Sequence, residues 1–261
     1  GNRREEGRDD DFHSRFPTGN ASPCIFPVVK PFSIPVLAKW DTRIIAIGGY
    51  NEALKNMTAY QNGEEILLID SACGVPKNNM LGANYSLPDI SSLIPIKRKI
   101  VGIIITNGQL ENIEGLKHTL PALGYPKIYA TKLTVGLIKN VLEEAWIIQN
   151  AKFHIVNPET GIFPVSKNFR IELFSQFYGI PDAAGVYIET PNVKIVHTGD
   201  FKLDIASDSE SQPRFGKLKQ IGSRGIDVLL SDSTNSMKEW FTKTEAEIAT
   251  ELHEIISKTE G

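Results

Sequence analysis

The chain has 261 residues, 41% of them hydrophobic and 23% charged, a balance that supports a packed α/β unit without staples. A net charge of −3 gives no global positive field for nucleic acid, and two cysteines without paired spacing, Cys24 and Cys73, argue against a disulfide framework or a cysteine zinc site. No apolar run reaches membrane-spanning length and no signal-peptide pattern opens the chain, so the expectation is a cytoplasmic protein with no membrane partner, in which the Asn-x-Ser/Thr triplets at Asn20, Asn56 and Asn84 carry no meaning.

Residues 1–22 are polar, mixed in charge and poor in aliphatics, which predicts a flexible arm or an expression remnant. Residues 23–42 form a Pro-punctuated, extended lead-in. From residue 43 to 261 the pattern is regular. "TRIIAIGG" predicts a strand and a tight turn, "EEILLID" a buried strand ending at Asp70, and "KIVGIIIT" a third strand. The Gly48-Gly49 turn lacks the spacing of a phosphate-binding loop. "NIEGLKHTLPAL" has helical spacing at Ile113, Leu116 and Leu120, with a stop expected near Pro121. "KIYAT" predicts a strand, and Thr131 is placed to cap the amphipathic helix that follows it.

The second half is richer in β. "KFHIV", "FRIELFS", "AGVYIET" and "VKIVHTG" predict four strands, with "TPN" as a tight link between the last two. "GIDVLLSDST" predicts a further buried strand, and "KTEAEIATELHEIISKT" a closing helix with Ala246, Ala249, Leu252 and Ile256 on one face. The pattern suggests an α/β fold of two sheets covered by helices.

Sites in layered α/β folds gather at strand ends. The polar residues in such positions are Asp70, Asn107 to Asn112, Tyr178 to Asp182, Asp200 and Asp232. Each alone is compatible with a turn or a cap. Together they carry a resemblance. "IIITNGQLENIEG" is similar to the strand-end H-x-H-x-D-H motif of metallo-β-lactamase-fold hydrolases. "FYGIPDAAGVYIETPNVKIVHTGDFKLD", "AIGGYNEALKNM", "LLIDSACGVPKNNMLGANYSLPDIS" and "VLLSDSTN" resemble successive blocks of the ribonuclease J family, from about Arg43 to Glu245 with nearly collinear spacing.

The resemblance implies an αββα metallo-β-lactamase sandwich, of which this chain is the first half of the hydrolase domain, ending near where a β-CASP domain would begin. It implies RNA as substrate and two zinc ions that generate hydroxide and clamp the phosphate. It also places the residues. Asn107 and Gln109 stand at the first two histidines, Glu111 at the aspartate, Asn112 at the third histidine and Tyr178 at a fourth. Asp200 stands at the bridging aspartate, and Asp70 and Asp182 at carboxylates that orient neighbours.

Zinc favours imidazole nitrogen or thiolate, whereas amide oxygens are weak neutral ligands and a phenol must first lose a proton. The remaining carboxylates, Glu111 and Asp200, are too few for two zinc ions, although a hard cation such as Mg²⁺ or Mn²⁺ could use two carboxylates and water. His13, His118, His154, His197 and His253 occupy no motif position. The expectation is therefore a degenerate ribonuclease J-like protein with its zinc lost. It would act in RNA processing as a non-catalytic or weakly active RNA-binding subunit, or as a partner of an active paralogue or of another copy of itself. The alternatives are a metal-dependent RNA hydrolase acting through Glu111 and Asp200, and a purely structural subunit.

Overall fold

In the computed structural model, which describes residues 41–50, 54–74, 85–203, 211–239 and 243–259, the apolar runs become strands covered on both faces. The expected arm, the lead-in up to residue 40, His13, Cys24 and the Asn20 and Asn84 triplets lie outside the described residues.

The first sheet holds β1 (Thr42–Gly48), β2 (Met57–Asn62), β3 (Glu65–Ile69), β4 (Ile100–Ile104), β5 (Ile128–Ala130) and β6 (Phe153–Ile155), side by side in chain order. Pairing is antiparallel from β1 to β3 and parallel from β3 to β6. The second sheet holds β7 (Phe163–Pro164), β8 (Arg170–Ser175), β9 (Ala184–Glu189), β10 (Lys194–His197) and β11 (Val228–Leu230), in spatial order β11-β10-β9-β8-β7.

Alternation along each strand assigns the layers. Ile66, Leu68, Ile103 and Ile128 face the helix layer, where Leu116, Leu120, Ile138 and Leu142 meet them. Leu67, Ile69, Ile104 and Tyr129 face Ile171, Val186, Ile188 and Ile195 of the second sheet. Those helices are α1 (Leu110–Ile113), α2 (Leu116–Leu123) and α3 (Lys132–Glu144). On the far side, α4 (Ser211–Gly222) packs Ile221 against Phe174, Tyr187 and Val196. The result is helix, sheet, sheet, helix. Fully buried Glu172 fixes the fourth layer, because Lys217 and Arg224 both ion-pair with it.

Three expectations need correction. The helix expected to stop near Pro121 runs through it to Leu123 and ends on Gly124 at φ 78°, where the Tyr125 amide closes on Leu120 O. Pro121 sits on the exposed side, so its ring costs one amide bond in a short helix rather than breaking it. The same segment is broken earlier, at Gly115, where a Cβ would lie 2.2 Å from Ser71 O. Thr131 is at the cap position of α3 but does not cap: its hydroxyl donates to Asp182 O, and the Asp182 carboxylate accepts from the Leu133 amide at 2.9 Å. Finally, "VLL" in β11 is not buried. It is an edge strand with Leu229 63% exposed.

Strands β2 and β7 and helix α4 were not anticipated, and α1 starts two residues before the expected helix. The closing helix, α5 (Glu245–Lys258), forms as expected with a Thr244–Glu247 capping box, and its Leu252 and Ile256 are exposed. No described helix is long and apolar enough to cross a membrane.

Candidate functional site

Four strands of the two sheets end at one rim. β3 leads into Asp70, β4 into Thr106 and Asn107, β8 into Gln176 and Tyr178, and β10 into Thr198 to Asp200. The sheets are tied there by the Ala184 amide, which donates to Thr106 O at 2.8 Å. Gly199 allows the close approach. Its φ is +62°, and a Cβ would lie 3.0 Å from Thr106 Cβ and 3.1 Å from Ala184 O. A left-handed backbone without a side chain is what lets Asp200 reach across to the first sheet.

Asp200 meets two side-chain amides. Asn107 Nδ2 donates to Asp200 Oδ2 at 3.1 Å, and Asn112 Nδ2 donates to the same oxygen at 2.9 Å. Asn112 Nδ2 also donates to Asn107 Oδ1 at 3.0 Å, and that oxygen accepts the Gln109 backbone amide at 3.0 Å. The orientation is fixed by chemistry. A backbone N–H can only donate, so Asn107 must turn its oxygen to Gln109 and its NH₂ to Asp200. Asn112 then faces two acceptors and must present its NH₂ to both. Asn107 is 1% and Asn112 2% exposed, whereas Asp200 is partly exposed.

Asp70 lies behind this cluster. Its Oδ1 accepts the Thr106 amide at 2.8 Å, and the Thr106 hydroxyl donates to both carboxylate oxygens. Burial pushes the Asp70 carboxyl up to about 7; the Thr106 bonds oppose this and the Asp200 charge adds to it. Tyr178 borders the cluster. Burial and the Asp200 charge hold its phenol above the usual range, against a hydrogen bond with the Gln109 side chain.

The other expected residues go elsewhere. Glu111 is exposed and lines a cavity of about 760 Å³ with Cys73, Leu110, Glu114 and Leu137. Asp182 serves the N-terminus of α3, and Asp232 accepts the Thr234 amide while its own amide binds Thr198 Oγ1. Among the described residues, no group of three or more His, Cys, Asp or Glu could hold a metal ion. Sequence reading missed Thr106, which holds Asp70. It also passed over a buried polar pair beneath the rim, in which Tyr60 Oη and His197 Nδ1 are 2.7 Å apart.

No family model matches the sequence. Curated relatives do, among them ribonuclease J of Thermus thermophilus, 35% identical over 224 residues, covering 84% of this chain and 39% of the relative, and ribonuclease J 2 of Staphylococcus aureus, 33% identical over 221 residues, covering 85% and 39%. The chain is a homologue of the ribonuclease J family. It spans about two-fifths of the length of these curated relatives.

A solved structure shares the overall fold. A protein of unknown function from Enterococcus faecalis superposes with a TM-score of 0.57 at 11% identity, over 78% of this chain and 52% of that one. A metallo-β-lactamase-fold protein from Bacillus subtilis has a TM-score of 0.46 at 16% identity, over 63% and 64%. Two sheets face to face between helix layers match the αββα order that the sequence leads one to expect. Within this ribonuclease J homologue, the positions that the resemblance assigns to zinc-binding histidines hold Asn107, Gln109, Asn112 and Tyr178 at the rim just described.

Proposed function

We propose that this chain is a catalytically degenerate ribonuclease J-type protein that serves RNA processing or decay by binding RNA or by pairing with an active paralogue or a second copy, and that zinc has been replaced at its rim by amide hydrogen bonds. The observation that carries this reading is the double donation of Asn107 and Asn112 to Asp200 Oδ2. A bound cation needs oxygen lone pairs directed at it. Here Asp200 Oδ2 receives two N–H protons, and Asn107 Oδ1 is committed to two donors of its own. The donor set offers no imidazole and no thiolate, so it does not fit zinc.

The network does for the fold part of what a cation would do electrostatically. It compensates a carboxylate at the sheet rim with partial positive charge from two NH₂ groups. The contrasting reading is a hard cation, Mg²⁺ or Mn²⁺, held by Glu111 and Asp200 and used for RNA hydrolysis. What supports the degenerate reading over it is that Glu111 makes no hydrogen bond to the amide cluster among the described residues and lines the separate cavity.

Incubation of a 5′-labelled single-stranded RNA with the purified chain in Mg²⁺, Mn²⁺ or Zn²⁺ tests the proposal. The expected result is no cleavage above that of an Asp200→Ala, Glu111→Ala double variant, together with retained RNA binding or capture of an active paralogue. Metal-dependent cleavage abolished in that variant would establish the hydrolase reading instead.

A further inference from the structure

At the opposite end of the first sheet, the parallel register builds a small grid. Ile128 pairs with Phe153 and Tyr129 with His154, so Lys127 lies beside Lys152 one residue earlier, about 4.8 Å away in the pairing direction. The side-chain period of two puts Lys127, Tyr129, Lys152 and His154 on one face, the one turned to the second sheet. There the edge strand β7 brings Phe163. The His154 and Phe163 rings stack at 5.5 Å with planes 28° apart, and His154 lies 5.3 Å from Tyr129. Lys127 Nζ is 5.7 Å from the Tyr129 ring centroid. Gly102 makes room for that ring, since a Cβ there would lie 2.6 Å from Tyr129 Cε2.

This corner is open. Lys127, Lys152 and His154 are exposed, and β6 is the last strand of the sheet among the described residues. Neither lysine forms an ion pair among the described residues. Exposed Lys97 and Arg98, in the 3₁₀ turn Ile94–Lys99 that leads into β4, add positive charge at the same end. The acidic groups at that end include Glu64, paired with Lys99, Glu65, whose carboxylate accepts from Ser166 Oγ and the Asn168 amide, and Glu189, paired with Arg170. A chain of net charge −3 thus concentrates cations and stacked rings at one corner, roughly 15–20 Å along the strand from the amide cluster.

We propose that this corner docks single-stranded RNA, with Lys127 and Lys152 on neighbouring phosphates and a base stacked on the exposed His154 ring, which Phe163 backs. Paired cations alone would suit any polyanion. The ring platform beside them selects a ligand with flat aromatic faces at regular spacing from its charges, which a single-stranded nucleic acid has and an acidic peptide lacks. The inference rests on the RNA-binding reading above and adds where RNA is held.

The test is fluorescence anisotropy of the full chain with a short fluorescein-labelled oligouridylate over a series of KCl concentrations. A Lys127→Gln, Lys152→Gln double variant is expected to bind about ten-fold more weakly at low salt. The slope of log affinity against log salt should fall by about 1.4, the value for two single-strand phosphate contacts. His154→Ala is expected to weaken binding about five-fold or more with the slope unchanged, as for a lost base stack. Both sites are exposed, and melting curves like the parent's confirm folding. If the parent binds RNA and both variants bind equally well, the docking site is wrong while the RNA-binding reading stands. If the parent binds no RNA, that reading fails and this one with it. Oligoglutamate that competes as well as oligouridylate, with no effect of His154→Ala, would identify an acidic partner and overturn the proposal.

Discussion

Asn107 and Asp200 lie 93 positions apart in the chain and are joined by an N–H···O bond of 3.1 Å between the ends of strands in opposite sheets. The bond has a direction: Asn107 gives the proton and Asp200 receives it. That direction separates a rim satisfied by its own amides from one that awaits a cation.

Asn112→Ala follows first from this. It removes one of the two side-chain amides on Asp200 Oδ2 and one of the two donors to Asn107 Oδ1. The expected loss is about 1–3 kcal/mol of folding stability, the range for a hydrogen bond to a charged group whose buried partner is removed. Asn112→Asp should cost more at neutral pH, because it sets a second negative charge against Asp200, and should recover part of the loss in acid. Urea denaturation of the three proteins measures both.

Gly199→Ala tests the backbone that delivers Asp200. The substitution forces a Cβ into the space beside Thr106 and Ala184 O at a left-handed φ. A destabilisation of about 1–3 kcal/mol is expected, measured by denaturant unfolding.

Glu172 anchors the outer helix and not the rim. Burial would push its carboxyl up, but hydrogen bonds and charges from Arg224 and Lys217 hold it below the usual carboxylate range. Glu172→Ala would leave both cations without their acceptor and is expected to cost about 3 kcal/mol. They are about one-fifth exposed, which keeps the effect near the low end for a broken buried pair. Glu172→Leu is expected to cost less than Glu172→Ala, since leucine refills the volume. Unfolding curves rank the two.

Two buried groups give stability opposite pH slopes. Burial lowers His197 from 6.5 to about 4, so between those values the unfolded chain binds more protons and stability falls as pH drops. Asp70 is raised from 3.8 to about 7, so across that window the folded chain binds more protons and stability falls as pH rises. In the parent the slopes oppose each other between about pH 4 and 6.5. Asp70→Asn should unmask the histidine, with stability rising by up to about 1.4 kcal/mol per pH unit through that interval. His197→Phe should unmask the aspartate and reverse the sign. Denaturant midpoints over a pH series read both slopes.

The parts of the fold that could be read in advance are those with one dominant signal. "EEILLID" and "KIVGIIIT" are apolar on both faces because a sheet and a helix layer bury both. "MTAYQN" was passed over because Thr58, Gln61 and Asn62 make it look like a loop. It is buried with most of those groups partnered, Asn62 Nδ2 bonding Thr42 Oγ1 and Asn192 Oδ1 and Gln61 Nε2 bonding Gly63 O. The weak apolar pattern of α4 is explained by Glu172, since that helix is held by Lys217 and Arg224 as much as by Leu218 and Ile221.

At the rim, Asn107, Asn112 and Asp200, grouped by motif spacing, lie in hydrogen-bond contact, because strand ends in adjacent positions converge. That spacing could not say which atom of each amide faces the carboxylate, which depends on a backbone N–H two residues away, at Gln109. Nor could it place Asp182. Its carboxylate met the N-terminus of α3, an anion site as favourable as the rim.

The central claim is that amide protons stand where the family's zinc would be. Its most direct test is the zinc content of the purified chain, measured by plasma mass spectrometry after dialysis against excess ZnCl₂ and gel filtration. It should be compared with a variant carrying Asn107→His, Gln109→His, Glu111→Asp, Asn112→His and Tyr178→His. The account predicts no stoichiometric zinc in the parent and a gain of bound zinc in the variant. Stoichiometric zinc in the parent that disappears with Asp200→Ala would contradict it.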